Sequence, residues 1–305
     1  MARAKNRAVG DDIGWQPLSF RSRDGTALYA REYGPRDSAL MPLICLAGLS
    51  RNSKDFHELA SFINSPSHAP RRILCLDYRG RGKSARDKNW RNYTVPAEKS
   101  DTLDMMVAAG IERACILGTS RGGLIAMAMA AARPGALAGV ILNDIGPEIE
   151  ATGMARIISY VGKMPAPADW KEAGRILKEA SAGQFPRMSD DDWQAQARKI
   201  FTESKGRLVA DYDPALANGL GEIDLAQSLP TMWPQFGALA RVPALVIRGE
   251  NSDILSEATL ARMAQNHSSL ETHVVRDAGH APLLADEASM KRIFDFVRAL
   301  DNHNG

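Results

Sequence analysis

The pentapeptide Gly118-Thr119-Ser120-Arg121-Gly122 puts a serine where an apolar run, ACILGT (114–119), gives way to a helical pattern over 121–132. G-x-S-x-G carries meaning only in that strand–turn–helix setting. The turn is tight, so the residues two before and two after the serine must be small for strand and helix to approach. Such a turn pushes the Ser120 hydroxyl outward and sets it at a helix N-terminus, where developing negative charge is favoured. A serine hydroxyl is a weak nucleophile without a base. Of six histidines, His280 is best placed, in Ala278-Gly279-His280-Ala281-Pro282, just after the run ETHVVRD (271–277). His57 falls in an early helix, His68 in a Pro/Ser loop, His267 in a polar turn, His273 inside a strand and His303 in the tail.

The base needs an acid that fixes its tautomer and stabilises the imidazolium. The run PALVIRG (243–249) is followed by Glu250-Asn251-Ser252-Asp253-Ile254-Leu255. Asp253 is therefore the expected acid, on the loop preceding the histidine's strand. Glu250 in the same loop and Asp144, after GVILND (139–144), are the competitors.

These residues need a scaffold that brings strand ends together. Residues 15–20 and 27–33, around a turn at Arg23-Asp24-Gly25, predict a hairpin. The runs at 42–47, 72–77, 114–119, 139–144, 243–249 and 271–277 are near-continuously apolar and alternate with amphipathic stretches such as 97–110, 121–132 and 287–300. That alternation predicts an α/β, doubly wound, mostly parallel sheet covered on both faces. Between about 147 and 239 no buried-strand run occurs, only helical patterns: Met154, Ile157, Ile158 and Val161; Ala173, Ile176, Leu177 and Ala180; and Trp193, Ala197 and Ile200 behind a Ser189 N-cap. The chain is thus expected to divide into a core (1–147 and 236–305) and an all-helical cap (148–235) over the carboxyl ends of the strands.

Further motifs carry a resemblance. Asp77-Tyr78-Arg79-Gly80-Arg81-Gly82-Lys83-Ser84 resembles the D-x-R-G-x-G-x-S loop of the α/β-hydrolase superfamily, RGENSDIL its acid loop and AGHAPLLADE its histidine loop. The order Ser120, Asp253, His280 is that superfamily's nucleophile–acid–base order. The resemblance implies an oxyanion hole made by the backbone N–H groups of Leu49 and Arg121. It also implies a histidine at position 47, where this chain has Ala47 in Leu46-Ala47-Gly48-Leu49. The serine nucleophile is unlike the aspartate of the haloalkane dehalogenases and epoxide hydrolases of this fold. Small-molecule esterases, lactonases and C–C hydrolases of ring-cleavage products are the subfamilies that the chain resembles.

Composition excludes other classes. Lys plus Arg number 38 and Asp plus Glu 36, a net charge of +2, which predicts neither a nucleic-acid partner nor binding to an anionic membrane. Cys45, Cys75 and Cys115 each lie in an apolar run and read as small buried hydrophobes. The first 14 residues are polar, expected to be loose, and without the apolar core of a secretory signal; a cytoplasmic location is expected. No apolar stretch is long enough to span a bilayer. Gly82-Lys83-Ser84 fails as a P-loop because its first glycine would fall on Asp77, and no zinc motif occurs. The basic stretch 71–91 holds eight Lys or Arg against two Asp and reads as a solvated loop or an anion-steering surface. Arg121 reads as a carboxylate ligand or a salt-bridge partner, and Trp170, Trp193 and Trp233 as cap packing or pocket lining. The expected activity is cofactor- and metal-free hydrolysis of a small or medium ester, thioester or lactone through an acyl-enzyme on Ser120. A C–C bond hydrolase and a non-catalytic ligand-binding protein are the alternatives; the oligomeric state is left open.

Overall fold

The computed structural model describes residues 14–302. The expected loose N-terminus, apart from Gly14, and the tail histidine lie outside them. In chain order the elements are β1 (Trp15–Arg21), β2 (Ala27–Tyr33), β3 (Leu43–Leu46), α1 (His57–Ile63), β4 (Ile73–Asp77), α2 (Val95–Ala108), β5 (Ala114–Thr119), α3 (Arg121–Ala132) and β6 (Leu137–Asn143). Next come α4 (Ala151–Tyr160), α5 (Trp170–Ser181), α6 (Asp190–Ile200), β7 (Phe201–Ser204), β8 (Arg207–Ala210), α7 (Leu216–Gly221) and α8 (Trp233–Gly237). The chain closes with β9 (Ala244–Gly249), α9 (Glu257–Gln265), β10 (Leu270–Val275) and α10 (Glu287–Asp301).

Eight strands form one sheet in the order β1-β2-β4-β3-β5-β6-β9-β10. The β1–β2 and β2–β4 pairs are antiparallel and the rest are parallel. This is the α/β, doubly wound sheet that the apolar runs predict. Period-2 alternation divides the side chains between two cores. In β4, Leu74 and Leu76 join α2 and α3 on one face, while Ile73 and Cys75 join α1 and α10 on the other. With both faces covered, β3, β4, β6 and β9 are buried along their whole length, each Leu or Ile contributing about 1.5–3 kcal/mol. All three cysteines are buried and unbridged. Among the described residues, no helix is long and apolar enough to cross a membrane.

The segment between β6 and β9 departs from the all-helical expectation. β7 and β8 pair as an antiparallel hairpin, turned by Lys205 and Gly206 at φ 50° and 74°. Positive φ at both turn residues gives the strand twist that a two-residue hairpin needs. Trp193, Ala173, Leu177 and Ala197 from α5 and α6 pack with Phe201 and Leu208 into a separate small core. The Ser189 cap is as expected: its hydroxyl accepts from the Asp192 amide, and Asp192 reciprocates at the Ser189 amide. The segment's ends meet in a stem. The Met232 amide donates to the Pro147 carbonyl at 2.7 Å, and the Trp233 indole donates to Glu148 at 2.5 Å.

The basic stretch 71–91 is solvated only in part: Lys83, Arg86, Lys88 and Arg91 are exposed, whereas its other four basic residues turn inward. Arg71 pairs with Asp301, Arg72 with Glu32, Arg79 with Asp101 and Asp87, and Arg81 with Glu98. All four arginines are buried, so their charge is spent inside the fold.

Candidate active site

Ser120 sits between β5 and α3 at φ 51°, ψ −112°. A non-glycine residue in such a conformation stores about 1–3 kcal/mol of strain. Surrounding contacts enforce it: the Ser120 amide donates to the Asn143 carbonyl at 2.9 Å, and its carbonyl accepts from Gly123 at 2.9 Å. A Cβ on Gly118 would overlap the backbone of Gly122, and one on Gly122 would overlap the Leu46 carbonyl. Strand and helix approach this closely only because both positions are glycine.

His280 arrives from the far edge of the sheet. After β10 its loop crosses the end of β9, where the Asn251 amide donates to the Ala278 carbonyl at 2.8 Å. Gly249 lies beneath; a Cβ there would strike the carbonyls of Ala278 and Gly279. His280 Nε2 lies 2.8 Å from Ser120 Oγ. The side chain of Asn143 donates to the Pro282 carbonyl at 2.9 Å, tying the histidine loop to β6.

The carboxylate on His280 is that of Asp144. Its Oδ2 lies 2.8 Å from His280 Nδ1 and accepts from the Ser252 hydroxyl at 2.6 Å, while Oδ1 accepts from the Gly249 amide at 2.8 Å. Asp144 is buried, in a left-handed conformation at φ 57°. A carboxylate accepting from Nδ1–H leaves Nε2 free to accept the serine proton.

The expectation of Asp253 is therefore corrected. Its carboxylate forms a bidentate pair with Arg156 of α4, at 2.6 and 2.8 Å. Burial pushes the Asp253 carboxyl up, but the Arg156 guanidinium outweighs it and holds the group below the ordinary carboxylate range. The physical reason for the exchange lies at the end of β9 and in the loop after it: Gly249 and Ser252 both donate to Asp144, and Asp253 lies beyond them, against α4. The competitor Glu250 accepts from the Asp277 amide instead.

Leu49 and Arg121, whose amides the resemblance assigns to an oxyanion hole, flank the serine. Arg121 is the first residue of α3, so its N–H has no intrahelical acceptor. Gly48 lies against Ser120; a Cβ built there would be 4.0 Å from Ser120 Cβ. The Arg121 side chain takes the salt-bridge role, with its Nε 2.7 Å from Glu98.

A cavity of about 340 Å³ opens above Ser120 and His280. Ile157, Tyr160, Leu177, Phe185 and Trp193 of the inserted segment make much of its wall. Burial pushes the Tyr160 phenol up, keeping it neutral. Arg51, Arg156, Lys163 and Lys199 add cations, against Asp55 as a lining carboxylate. Arg51 pairs with Asp55 and Lys199 with Glu58, whereas Lys163 donates to the Ile158 carbonyl. Of the tryptophans, Trp193 both lines the cavity and packs the small core, Trp170 packs against that core, and Trp233 packs on the main core. Among the described residues, no group of three or more His, Cys, Asp or Glu is placed to hold a metal ion.

Comparison with known proteins agrees with this architecture. Residues 43–292 match the family model described as the alpha/beta hydrolase family. The chain is 30% identical over 255 residues to a 3-hydroxybutyrate-oligomer hydrolase of Cupriavidus necator, covering 81% of this chain and 85% of that one. It is 25% identical over 228 residues to a 2-(acetamidomethylene)succinate hydrolase of Mesorhizobium japonicum, covering 74% and 78%. Among solved structures, an alpha/beta hydrolase of Novosphingobium aromaticivorans superposes with a TM-score of 0.87 at 36% identity, covering 94% of this chain and 99% of that one. With the matched region spanning most of its length, the chain belongs to the alpha/beta hydrolase family.

Proposed function

We propose that the protein is a serine carboxylic ester hydrolase acting on short oligoesters of hydroxy acids. The observation that carries the ester chemistry is the unbroken relay from Ser120 Oγ through His280 to Asp144, 2.8 Å at each step, at the floor of the cavity. Ser120 Oγ attacks the ester carbonyl as its proton passes to His280 Nε2. The tetrahedral oxyanion is held by the amides of Leu49 and Arg121. Collapse expels the alcohol, which takes the proton from His280 and leaves an acyl-enzyme. Water then gives up a proton to His280 and attacks the acyl carbon, and collapse releases the acid as Ser120 Oγ takes that proton back from His280. Asp144 keeps His280 in the working tautomer and stabilises the imidazolium.

The substrate class rests on two supports. The Cupriavidus relative is a 3-hydroxybutyrate-oligomer hydrolase. The cavity combines apolar walls with Lys163, the one lining Lys or Arg that is not paired with a carboxylate among the described residues, which suits an aliphatic chain ending in a carboxylate. The test is release of 3-hydroxybutyrate from its linear trimer, beside p-nitrophenyl butyrate, by wild type and Ser120→Ala. The reading expects wild-type turnover of both, the trimer preferred, and none by the variant. Ester turnover with the trimer ignored would overturn the substrate class; unchanged turnover by Ser120→Ala would overturn the mechanism.

A further inference from the structure

Ala47 leaves the loop beside the serine without the side chain that the family resemblance implies, yet this loop is held at three successive carbonyls. The Tyr78 hydroxyl donates to the Ala47 carbonyl at 3.2 Å, the Arg51 amide to the Gly48 carbonyl at 3.1 Å and Arg81 Nε to the Leu49 carbonyl at 2.8 Å. The Leu49 N–H belongs to the peptide unit between Gly48 and Leu49. That unit is planar, so holding its own carbonyl and those on either side fixes the direction of the N–H.

Arg81 is completely buried and bridges further. Its Nη1 donates to the Arg79 carbonyl at 2.7 Å and lies 2.8 Å from Glu98 Oε1. The other oxygen of Glu98 lies 2.7 Å from Arg121 Nε. Arg121 Nη2 donates to the Tyr93 carbonyl at 3.1 Å. Glu98, on α2, has no solvent exposure. Burial pushes its carboxyl up, but the two guanidiniums outweigh that and keep it ionised. One buried carboxylate thus joins the residue that grips Leu49 to the residue that follows the nucleophile.

We propose that Arg81, Glu98 and Arg121 form a buried ionic bridge that sets the spacing of the two oxyanion-hole amides, with Arg81 and Glu98 as positioning residues. The proposal rests on the serine-hydrolase reading above. It differs from a packing role because it couples two donors whose separation matters only when a tetrahedral oxyanion lies between them. An interaction made only in the transition state lowers kcat and leaves KM alone.

The test measures p-nitrophenyl butyrate kinetics and inhibition by n-butylboronic acid, whose serine adduct is tetrahedral. Glu98→Gln keeps the shape of the side chain and removes its charge. Loss of a whole oxyanion donor costs about 10²–10³ in rate, so displacement of both should lower kcat about 10- to 100-fold, leave KM within about threefold and weaken boronate binding in parallel with kcat. Unchanged kcat and boronate affinity would overturn the proposal. If Glu98→Gln fails to fold, Arg121→Met decides: it leaves the Arg81–Glu98 pair in place, and the Arg121 side chain is partly exposed. The proposal then expects a smaller parallel loss, about five- to thirtyfold, and fails if kcat and boronate affinity do not move. Ser120→Ala run beside them separates the two failures: activity surviving in that variant sinks the site reading, whereas Ser120-dependent activity indifferent to Glu98→Gln or Arg121→Met sinks only the bridge.

Discussion

Asp144 meets His280 across the end of β9, a strand to which neither belongs. Neighbouring strands lie about 4.8 Å apart, so the histidine loop must reach inward from the sheet edge over two strand positions. It does so over Gly249, whose missing side chain lets the loop pass and whose amide fills the second oxygen of Asp144. Asp144 therefore stands just past the end of β6, beside the β5 end that carries Ser120, and the three side chains lie close together.

This arrangement separates the two aspartates by experiment. Asp144→Asn should favour the wrong histidine tautomer and lower kcat by about 10⁴. Asp253→Asn should leave kcat within about tenfold, its pair with Arg156 being a quarter exposed. Steady-state kinetics of both variants on p-nitrophenyl butyrate checks this; the reverse ranking would return the acid's role to Asp253.

The Arg156–Asp253 pair should also appear in stability against pH. The Asp253 carboxyl is depressed in the folded state, with Arg156 overcoming the effect of burial. Its contribution is then complete above the unfolded value of about 4 and is lost as pH falls through the lower folded value. For a pair this exposed it amounts to about 0.2–1 kcal/mol. Urea unfolding of wild type and Asp253→Asn should differ by that amount at pH 7 and converge as pH falls through the lowered folded value of the Asp253 carboxyl.

Gly122 is a packing prediction. Its Cβ would overlap the Leu46 carbonyl, which is backbone and cannot swing away. Gly122→Ala should destabilise by about 1–3 kcal/mol, read as a lower melting temperature, with lower kcat as Ser120 shifts.

The cavity wall predicts chain-length selectivity. Ile176 lines it from α5. Ile176→Trp should lower kcat/KM on p-nitrophenyl octanoate by about tenfold or more relative to the acetate, since one methylene is worth 10- to 200-fold in a close-fitting pocket. An unaltered profile would mean that acyl chains lie elsewhere.

What the amino-acid pattern reveals depends on how local the determinant is. Ser120 and His280 are legible because each follows a strand end, with Gly118 and Gly122 around the serine and Gly279 before the histidine. The sheet is legible because strands covered on both faces must be apolar throughout. The acid is not, because Asp144 and Asp253 both follow strands that end at the site. The choice between them turns on Gly249 and Ser252 donating to one and Arg156 to the other, contacts between segments about 100 residues apart. The hairpin of β7 and β8 is hidden for another reason: FTES and RLVA are only four residues each and carry no sustained apolar run or alternation, and only the Lys205-Gly206 turn marks them.

The stem at Pro147 and Met232 has a practical consequence. Because the two ends of the inserted segment are bonded to each other, residues 148–231 leave and rejoin the core at neighbouring points, the first of them three residues beyond Asp144. Substrate range can diversify by exchanging that segment while the relay and its supporting glycines stay as they are. The cost is spread along the seam: Arg156–Asp253, Lys199–Glu58 and Lys54–Asp211 pair across it, Asp213 bonds Tyr93 and Gly80, and Tyr212 and Leu216 pack into the main core.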